Sequence, residues 1–403
     1  MDFRTGGAAG GAINPPLLKD KMLVKMKDCF LQSACTLFFC WPALFGFAGL
    51  AAAANDDIVI GQSAPITGSN ADLGQDIRNG ALAYFRKVNA HGGIRGHKIT
   101  LLTLDDHNDA KVAGANAKTL VEKEGAVALF GFASATLSLP AMPTVESAKV
   151  PFFAPFTGAD TIRKQNNFVY TVRATYADEI EKLVGFWAPI GVNRVAVLHY
   201  DDQVGKQNFQ TAAKALEKFN KSPVSVAIKR NADLTDADVA NIIKANTQII
   251  LVTTSYAPIA QMRKKLTEHN NYSMMTSLSF AGAAQIAKAL GEMAGGITVA
   301  MTVPLPSDRR VAVVAECQDA WREAGMTGQV SPTALEAFIA AKVLVEGMRH
   351  IGRDVTRESL QEALSALTKI DVGDFVIQFK PGFHHGGKYV ELAVIGQNGM
   401  LRQ

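Results

Sequence analysis

Beyond residue 40 the chain holds one cysteine, Cys317; the other three, Cys29, Cys35 and Cys40, fall together in an N-terminal apolar stretch. A disulfide framework is therefore excluded for the rest of the chain, and no cysteine pair offers a zinc site. Cys317 lies in a helical pattern and is expected to be a buried small hydrophobe rather than a reactive thiol. An excess of charge is lacking too. Residues 1–54 hold five basic residues (Arg4, Lys19, Lys21, Lys25, Lys27) against three acidic (Asp2, Asp20, Asp28). Setting them aside takes the chain from 41 basic and 37 acidic residues to 36 and 34. So even a balance argues against a nucleic-acid partner, which would ask for a basic face.

Enzyme signatures are missing as well. The turn after the first apolar strand reads GQSAPITG, not G-x-G-x-x-G, and Gly205-Lys206 lacks the upstream glycine of a phosphate-binding lysine loop. Gly131-Phe132-Ala133-Ser134 does not have the spacing of G-x-S-x-G. No H-E-x-x-H occurs among the eight histidines. His384-His385 sits between glycines and is expected in a solvated loop rather than a metal site. Asp105-Asp106 and Asp201-Asp202 end strands and could pair as catalytic acids, but capping or solvated turns are the plainer expectation. No cofactor or metal is implied.

At the N-terminus, Lys19, Lys21, Lys25 and Lys27 precede an apolar run from about Cys29 to Leu50 that ends in Ala51–Ala54. A basic region, an apolar core and a small-residue exit describe a secretory signal peptide, with cleavage expected before Asn55. The competing reading is a retained membrane anchor, since the run nears spanning length; Pro42 and the alanines favour cleavage. The Gly/Ala-rich stretch from Thr5 to Ala12 raises the further expectation that translation starts at Met22 or Met26.

From Asp57 short β-branched runs alternate with longer amphipathic segments. Strands are expected at Ile58–Ile60, Ile99–Leu104, Ala126–Phe130 and Val150–Ala154, with helices at Asp72–Ala90, Ala110–Glu124 and Ser134–Lys149 between them. The rhythm restarts with strands at Phe168–Val172, Val195–His199, Val224–Ile228, Ile249–Val252, Met274–Thr276 and Ile297–Ala300. After Pro304 come helical patterns at Asp308–Ala324, Pro332–His350 and Arg357–Leu367, then an expected hairpin of Phe375–Phe379 with Tyr389–Ile395. Such β-α alternation with continuous apolar strands predicts parallel sheets covered on both faces, in two lobes joined by short crossings.

What the strand ends offer is neutral donors: Ser63, Thr67, Ser134, Thr136, Thr157, Tyr176, Tyr200, Ser255 and Tyr256. The stretch from Gly131 to Gly158, GFASATLSLPAMPTVESAKVPFFAPFTG, puts two such sets at neighbouring strand ends, the edge where open α/β sheets hold ligands. Hydroxyls there can cap helices and still leave N–H groups free for a carboxylate.

These residues resemble the type I periplasmic binding proteins of the branched-chain amino acid (leucine/isoleucine/valine) ABC transporter family, from Asp57 to Gln403. The likeness is carried by IGQSAPITGSNADLGQDIRNGALAYFRKVNAHGGIRGHKITLLTLDD, by FGFASATLSLPAMPTVESAKVPFFAPFTGA, by RVAVLHYDDQVGKQNF and by Val355–Leu360. Within it the N-A-x-G-G-I-x-G run, Asn89–Gly96, is the specific marker. The resemblance implies two doubly wound lobes, residues 55–173 with 303–387 and 174–302 with 388–403, crossing near Arg173, Thr302 and Lys388. It implies a monomeric, non-enzymatic trap, periplasmic once the signal peptide is cleaved, that hands its ligand to an inner-membrane ABC permease. It places a ligand carboxylate at Ser134, Ala135, Thr136, Thr157 and Gly158, and a cleft aromatic at Tyr256; Tyr176 and Tyr200 are further cleft candidates. The family's amino-acid binders use an acidic residue after the strand near Met274–Ser277, where this chain reads Ser277-Leu278-Ser279-Phe280. A buried ammonium without a counter-charge is costly, so the expectation is a carboxylate ligand without an obligatory ammonium, between Phe156 and Phe280. Ser279 would face the ligand, and Glu336 is the nearest acid that could serve an amine. Two other readings stay open: a sensing module of the same fold, and a periplasmic hydrolase using Asp105, Asp106 or His107.

Overall fold

The computed structural model describes residues 57–68, 70–163, 167–380 and 382–403. The leader and signal peptide expected over residues 1–54 lie outside the described residues.

The strands are β1 (Ile58–Ala64), β2 (Ile99–Asp105), β3 (Ala128–Phe130), β4 (Phe152–Phe153), β5 (Val169–Tyr170), β6 (Val195–Tyr200) and β7 (Val224–Ile228). They continue with β8 (Ile249–Val252), β9 (Met274–Ser277), β10 (Thr298–Met301), β11 (Lys369–Asp371), β12 (Val376–Gln378), β13 (Glu391–Ile395) and β14 (Leu401–Arg402). One sheet has the order β2-β1-β3-β4-β5 and is parallel throughout, with Ile58 opposite Ile99 and Ala64 opposite Asp105. A second sheet runs β14-β13-β10-β9-β8-β6-β7, parallel from β6 to β10 and antiparallel at β13 and β14. Helices cover both sheets, which is why β3, β6 and β8 are buried at every position. The α/β class and parallel sheets expected from the sequence are therefore what the chain forms.

The helix starts follow local chemistry. Thr175 with Asp178, Thr235 with Asp238 and Thr356 with Ser359 make reciprocal caps. Asp202 caps helix Gln203–Glu217, accepting from the Gly205 N–H at 2.8 Å. At the other acidic pair the cap is Asp109, which leads helix Ala110–Glu122. Asp105 and Asp106 instead tie the turn together: buried Asp106 accepts from Ser63 Oγ and Asn108 N, both at 2.9 Å, and burial pushes its pKa up to about 6. The helix expected over 134–149 is broken into Ala135–Ser138, a 3-10 turn Leu139–Ala141 and Met142–Ala148, because Pro140 and Pro143 remove ladder N–H groups.

Two expectations fail together near the C-terminus. The hairpin of 375–379 with 389–395 does not form: β12 pairs with β11, and β13 lies antiparallel to β10. Ile377 and Phe379 pack into the core of the first sheet, whereas Ala393 and Ile395 pack into that of the second. The chain between them crosses over, bonding to residue 171 through Thr171 N to His384 O and Gly386 N to Thr171 O, each 2.9 Å. A Cβ on Gly387 would lie 2.3 Å from the Val172 carbonyl oxygen, so this passage needs glycine. His384 and His385 are consequently buried, not solvated. The His384 ring stacks on Tyr170 at 4.3 Å, and His385 Nε2 donates to the Arg163 carbonyl at 2.8 Å. Burial pushes the His385 pKa down to about 4, so the imidazole is neutral.

Helix Pro332–Arg349 is apolar on nearly every side and is buried accordingly. It packs on helix Ala71–Ala90, where Tyr84 meets Phe338 edge-on at 5.0 Å. At the crossing a Cβ on Gly80 would lie 2.0 Å from the Ala334 carbonyl oxygen. Gly80→Ala is therefore expected to force the helices apart and cost about 1–3 kcal/mol. Urea unfolding checks it through a lower midpoint at unchanged slope; a wild-type midpoint would show that the pair separates freely. Cys317 is fully buried in the same core, and burial raises its thiol pKa, as expected of an inert residue.

A candidate ligand cleft

In a doubly wound sheet a crevice forms where the strand order reverses. That point lies beside β1 and β3 in the first sheet and beside β6 and β8 in the second. Loops at the carboxyl ends of β3, β4, β6, β8 and β9 carry most of the hydroxyls singled out from the sequence.

Ser134 follows β3 with φ +78° and ψ 157°, a conformation that costs a non-glycine residue about 1–3 kcal/mol and is held by its surroundings. Its Oγ accepts from Leu137 N at 3.3 Å, capping the short helix. After β4, Thr157 Oγ1 accepts from Ala159 N and donates to Tyr176 Oη, both at 3.2 Å. Gly158 is the close approach behind that contact, since a Cβ there would lie 2.6 Å from Tyr176 Cδ1. From the second sheet, Tyr200 Oη bonds to Ser255 Oγ at 2.9 Å, and the Arg230 guanidinium covers the Tyr200 ring at 3.8 Å.

Ser134, Ala135, Thr136, Thr157, Tyr176, Tyr200 and Phe280 line one cavity of about 20 Å³, with Val204, Gly205, Asn208, Arg230 and Thr253. Phe156, Ser279 and Glu336 line a second, of about 10 Å³, with Ala283, Thr302 and Thr333. Each holds about one water, so the two faces are closed on each other. Gly158 and Tyr256 line neither. Tyr256 opens helix Tyr256–Glu268 near the Asp72–Lys288 pair, and burial raises its phenol pKa.

Between the cavities lies a charge cluster. Arg173 is 1% exposed, with its guanidinium 4.6 Å above the Phe156 ring. It lies 3.6 Å from Glu179 and 3.5 Å from Glu336, and its Nη2 donates to Ser279 Oγ. Glu179 accepts from Ser279 N at 2.7 Å and Ser279 Oγ at 2.9 Å, while Glu336 accepts from Thr302 Oγ1 at 2.9 Å. Burial raises the pKa of both carboxylates, and Arg173 opposes that shift. Burial also works against the guanidinium, but Glu336 and Glu179 hold its pKa above the ordinary value. Arg173 Nε and Nη1 have no hydrogen-bond partner among the described residues, so the cluster is charged but incompletely bonded there.

Arg173 and Glu179 are not among the site residues expected from the sequence. Glu179 was legible, because it falls on the apolar stripe of helix Tyr176–Trp187, with Tyr176, Ile180, Leu183, Val184 and Trp187. A carboxylate on such a stripe must find a partner. Asn208, Arg230 and Thr302 gave no comparable signal. At the cleft rim Lys288 reaches Asp72 at 2.8 Å, Gln285 reaches Asp76 at 2.8 Å and Asn108 reaches Asn231 at 2.8 Å.

The family described as "Periplasmic binding protein" matches residues 57–399. An "Amino acid binding protein" of Pseudomonas aeruginosa is 35% identical over 113 residues; that match covers 28% of this chain and only 30% of the relative's length. A "Leucine-, isoleucine-, valine-, threonine-, and alanine-binding protein" of the same organism is 23% identical over 82% of this chain and 87% of its own length. A solved substrate-binding periplasmic protein of Ralstonia solanacearum superposes with a TM-score of 0.81 at 29% identity, covering 86% of this chain and all of its own.

Proposed function

The chain belongs to the periplasmic binding protein family, and from that premise we propose that it captures a small carboxylate-bearing solute between two closing lobes. It is exported to the periplasm by its leader, acts as a monomer without catalysis, and delivers the solute to an inner-membrane ABC permease. The lobes are residues 55–173 with 303–387 and 174–302 with 388–403. The observation that carries the reading is the convergence of Ser134, Thr136 and Thr157 from one sheet with Tyr200 and Phe280 from the other around one small cavity. Donors split between two bodies favour the closed state once a ligand touches both.

The solute's carboxylate binds at Ser134, Thr136 and Thr157, and its body lies between Phe156 and Phe280. Whether an amino group is also accepted turns on Glu179 and Glu336. Glu179 meets the segment after β9, where the expected acid is absent, and its carboxylate accepts from Ser279. Glu336 keeps one oxygen outside its bond to Thr302. With two carboxylates facing one guanidinium, an ammonium brings the cluster to neutrality, so an amino acid now fits as well as a simple acid. The P. aeruginosa relative named for leucine, isoleucine, valine, threonine and alanine supports that class.

A thermal-shift screen over amino acids, aromatic acids, aliphatic acids and amides tests the proposal. One class is expected to raise the melting temperature, since a ligand at about 100 times its Kd adds about 2.7 kcal/mol. Thr157→Val removes a hydroxyl and should weaken that solute by about tenfold through loss of a charge-assisted bond. Stabilisation that T157V leaves untouched would move the carboxylate elsewhere.

A further inference from the structure

A roomy cavity lies outside the two that line the cleft. It encloses about 410 Å³, between Trp321 and Arg309 on one side and Ala284 and Met400 on the other. That is within the range of small-molecule sites, roughly 300–1,000 Å³. Its walls come from two packing units: Trp321 belongs to the core of the first sheet, and Leu401, next to Met400, packs on the core of the second.

The lining has a definite chemistry. Trp321 is 6% exposed, and its indole nitrogen donates to the Thr327 carbonyl at 3.3 Å, so an apolar face is left for the cavity. Met400 is 47% exposed and adds a second apolar surface. Arg309 and Arg322 share one carboxylate: Arg309 Nη2 lies 3.0 Å from Asp319, and Arg322 bonds to the same oxygen. Two guanidiniums against one acid leave one positive charge over at the cavity edge. The cations are half-exposed or more, so they can turn to a ligand without the desolvation cost that a buried cation would carry.

We infer that this cavity is a second binding site, for an amphipathic organic anion: a carboxylate on Arg309 and Arg322, with an aromatic or branched body on Trp321 and Met400. Its ligand need not be the solute assigned to the cleft. Pro332 borders both this cavity and the one at Glu336, and the walls come from both sheet bodies. An occupant therefore senses whether the cleft is closed, and by linkage favours one state of it.

Phenylacetate is a suitable probe, with phenylacetamide as its uncharged counterpart. In a W187F variant Trp321 is the remaining tryptophan of the described residues, and its fluorescence reports the cavity. Saturable quenching by phenylacetate is expected, weakened about tenfold by R309Q/R322Q together and by the switch to phenylacetamide. In T157V, which alters the cleft, the quench should keep its midpoint within about twofold, inside the usual additivity of distant sites. A quench lost in T157V would assign the probe to the cleft and overturn the second site. Absence of saturation, or a quench indifferent to R309Q/R322Q, would do the same. The cleft assignment fails separately, if no solute in the thermal screen responds to T157V while the Trp321 quench persists.

Discussion

Arg173→Met is expected to lower the unfolding free energy at about neutral pH by about 3–5 kcal/mol, the cost of leaving buried charge without its partner. The side chain is 1% exposed and is the cation that both Glu179 and Glu336 face within 4 Å. Its removal leaves two carboxylates in a closed interior. They keep Ser279 and Thr302 as hydrogen-bond donors but lose the charge that offsets them. The sign of the pH dependence follows from burial. Both carboxylates have folded pKa values raised above the ordinary 4.5. Their contribution to stability is therefore full below that value and lost as pH rises through the raised folded pKa. Arg173 moderates the rise, so the variant's carboxylates move up further and its deficit widens toward neutral pH. Urea unfolding of both proteins near pH 7.5 and near pH 5 measures this, and the deficit should shrink at the lower value. A deficit equal at both would mean that lost packing on Phe156, not charge, is what the substitution removes. Arg173→Lys separates the two contributions again, because lysine keeps the charge but loses the planar fork that covers Phe156 and reaches Ser279.

The same cluster gives a physical account of the proposed closure. Phe156 and Glu336 lie on elements packed with the first sheet, whereas Glu179 and Ser279 belong to the helix and strand end of the second. Arg173 sits in the segment that joins them. The rim pair Lys288–Asp72 is exposed enough that such bridges contribute about 0–1 kcal/mol. In the proposed trap, the buried groups that are re-solvated when the faces part weigh more in the balance of open and closed states than the rim pair does, and a solute would act on that balance through the contacts it adds to both faces.

Much of this fold is legible in the chain. Strands covered on both faces read as unbroken apolar runs, and Thr175, Thr235 and Thr356 announce their helices by reciprocal caps. What is not legible is partnership over distance. β12 and β13 are short segments with twelve residues between them, and nothing local says that each belongs to a different core; Gly387, pressed against Val172, permits the crossing that separates them. Likewise the hydroxyls of Ser134, Thr136 and Thr157 could be placed at strand ends from periodicity. That Glu179 would stand against Ser279, 100 positions away, could not. Glycine-flanked His384 and His385 looked solvated because the local composition is that of a turn, whereas the crossing beside Thr171 buries them.

Glu336→Gln is expected to separate two classes of solute. The Glu336 carboxylate is buried, accepts from Thr302 at 2.9 Å and lies 3.5 Å from Arg173. Glutamine preserves its length and can still accept from Thr302, but it takes away the negative charge that an ammonium would need. With Glu336 neutralised, Arg173 and Glu179 form a balanced pair, so the fold should keep its stability at neutral pH. That stability should vary less with pH than in the wild type, since one carboxylate with a raised pKa is gone. The stability readout thus guards against misreading a folding defect as a binding defect. If the solute carries an amino group, its affinity should fall by roughly 10–100-fold, the worth of a hydrogen bond to a charged group of about 1.5–3 kcal/mol. A desamino analogue of the same solute should bind the variant at least as well as the wild type, because its carboxylate then meets one buried negative charge fewer. Calorimetric titration of both ligands against both proteins gives the four affinities of the cycle. Equal losses for the amine and its desamino analogue would remove Glu336 from ammonium recognition and return the cleft to acids bound through Ser134, Thr136 and Thr157 alone.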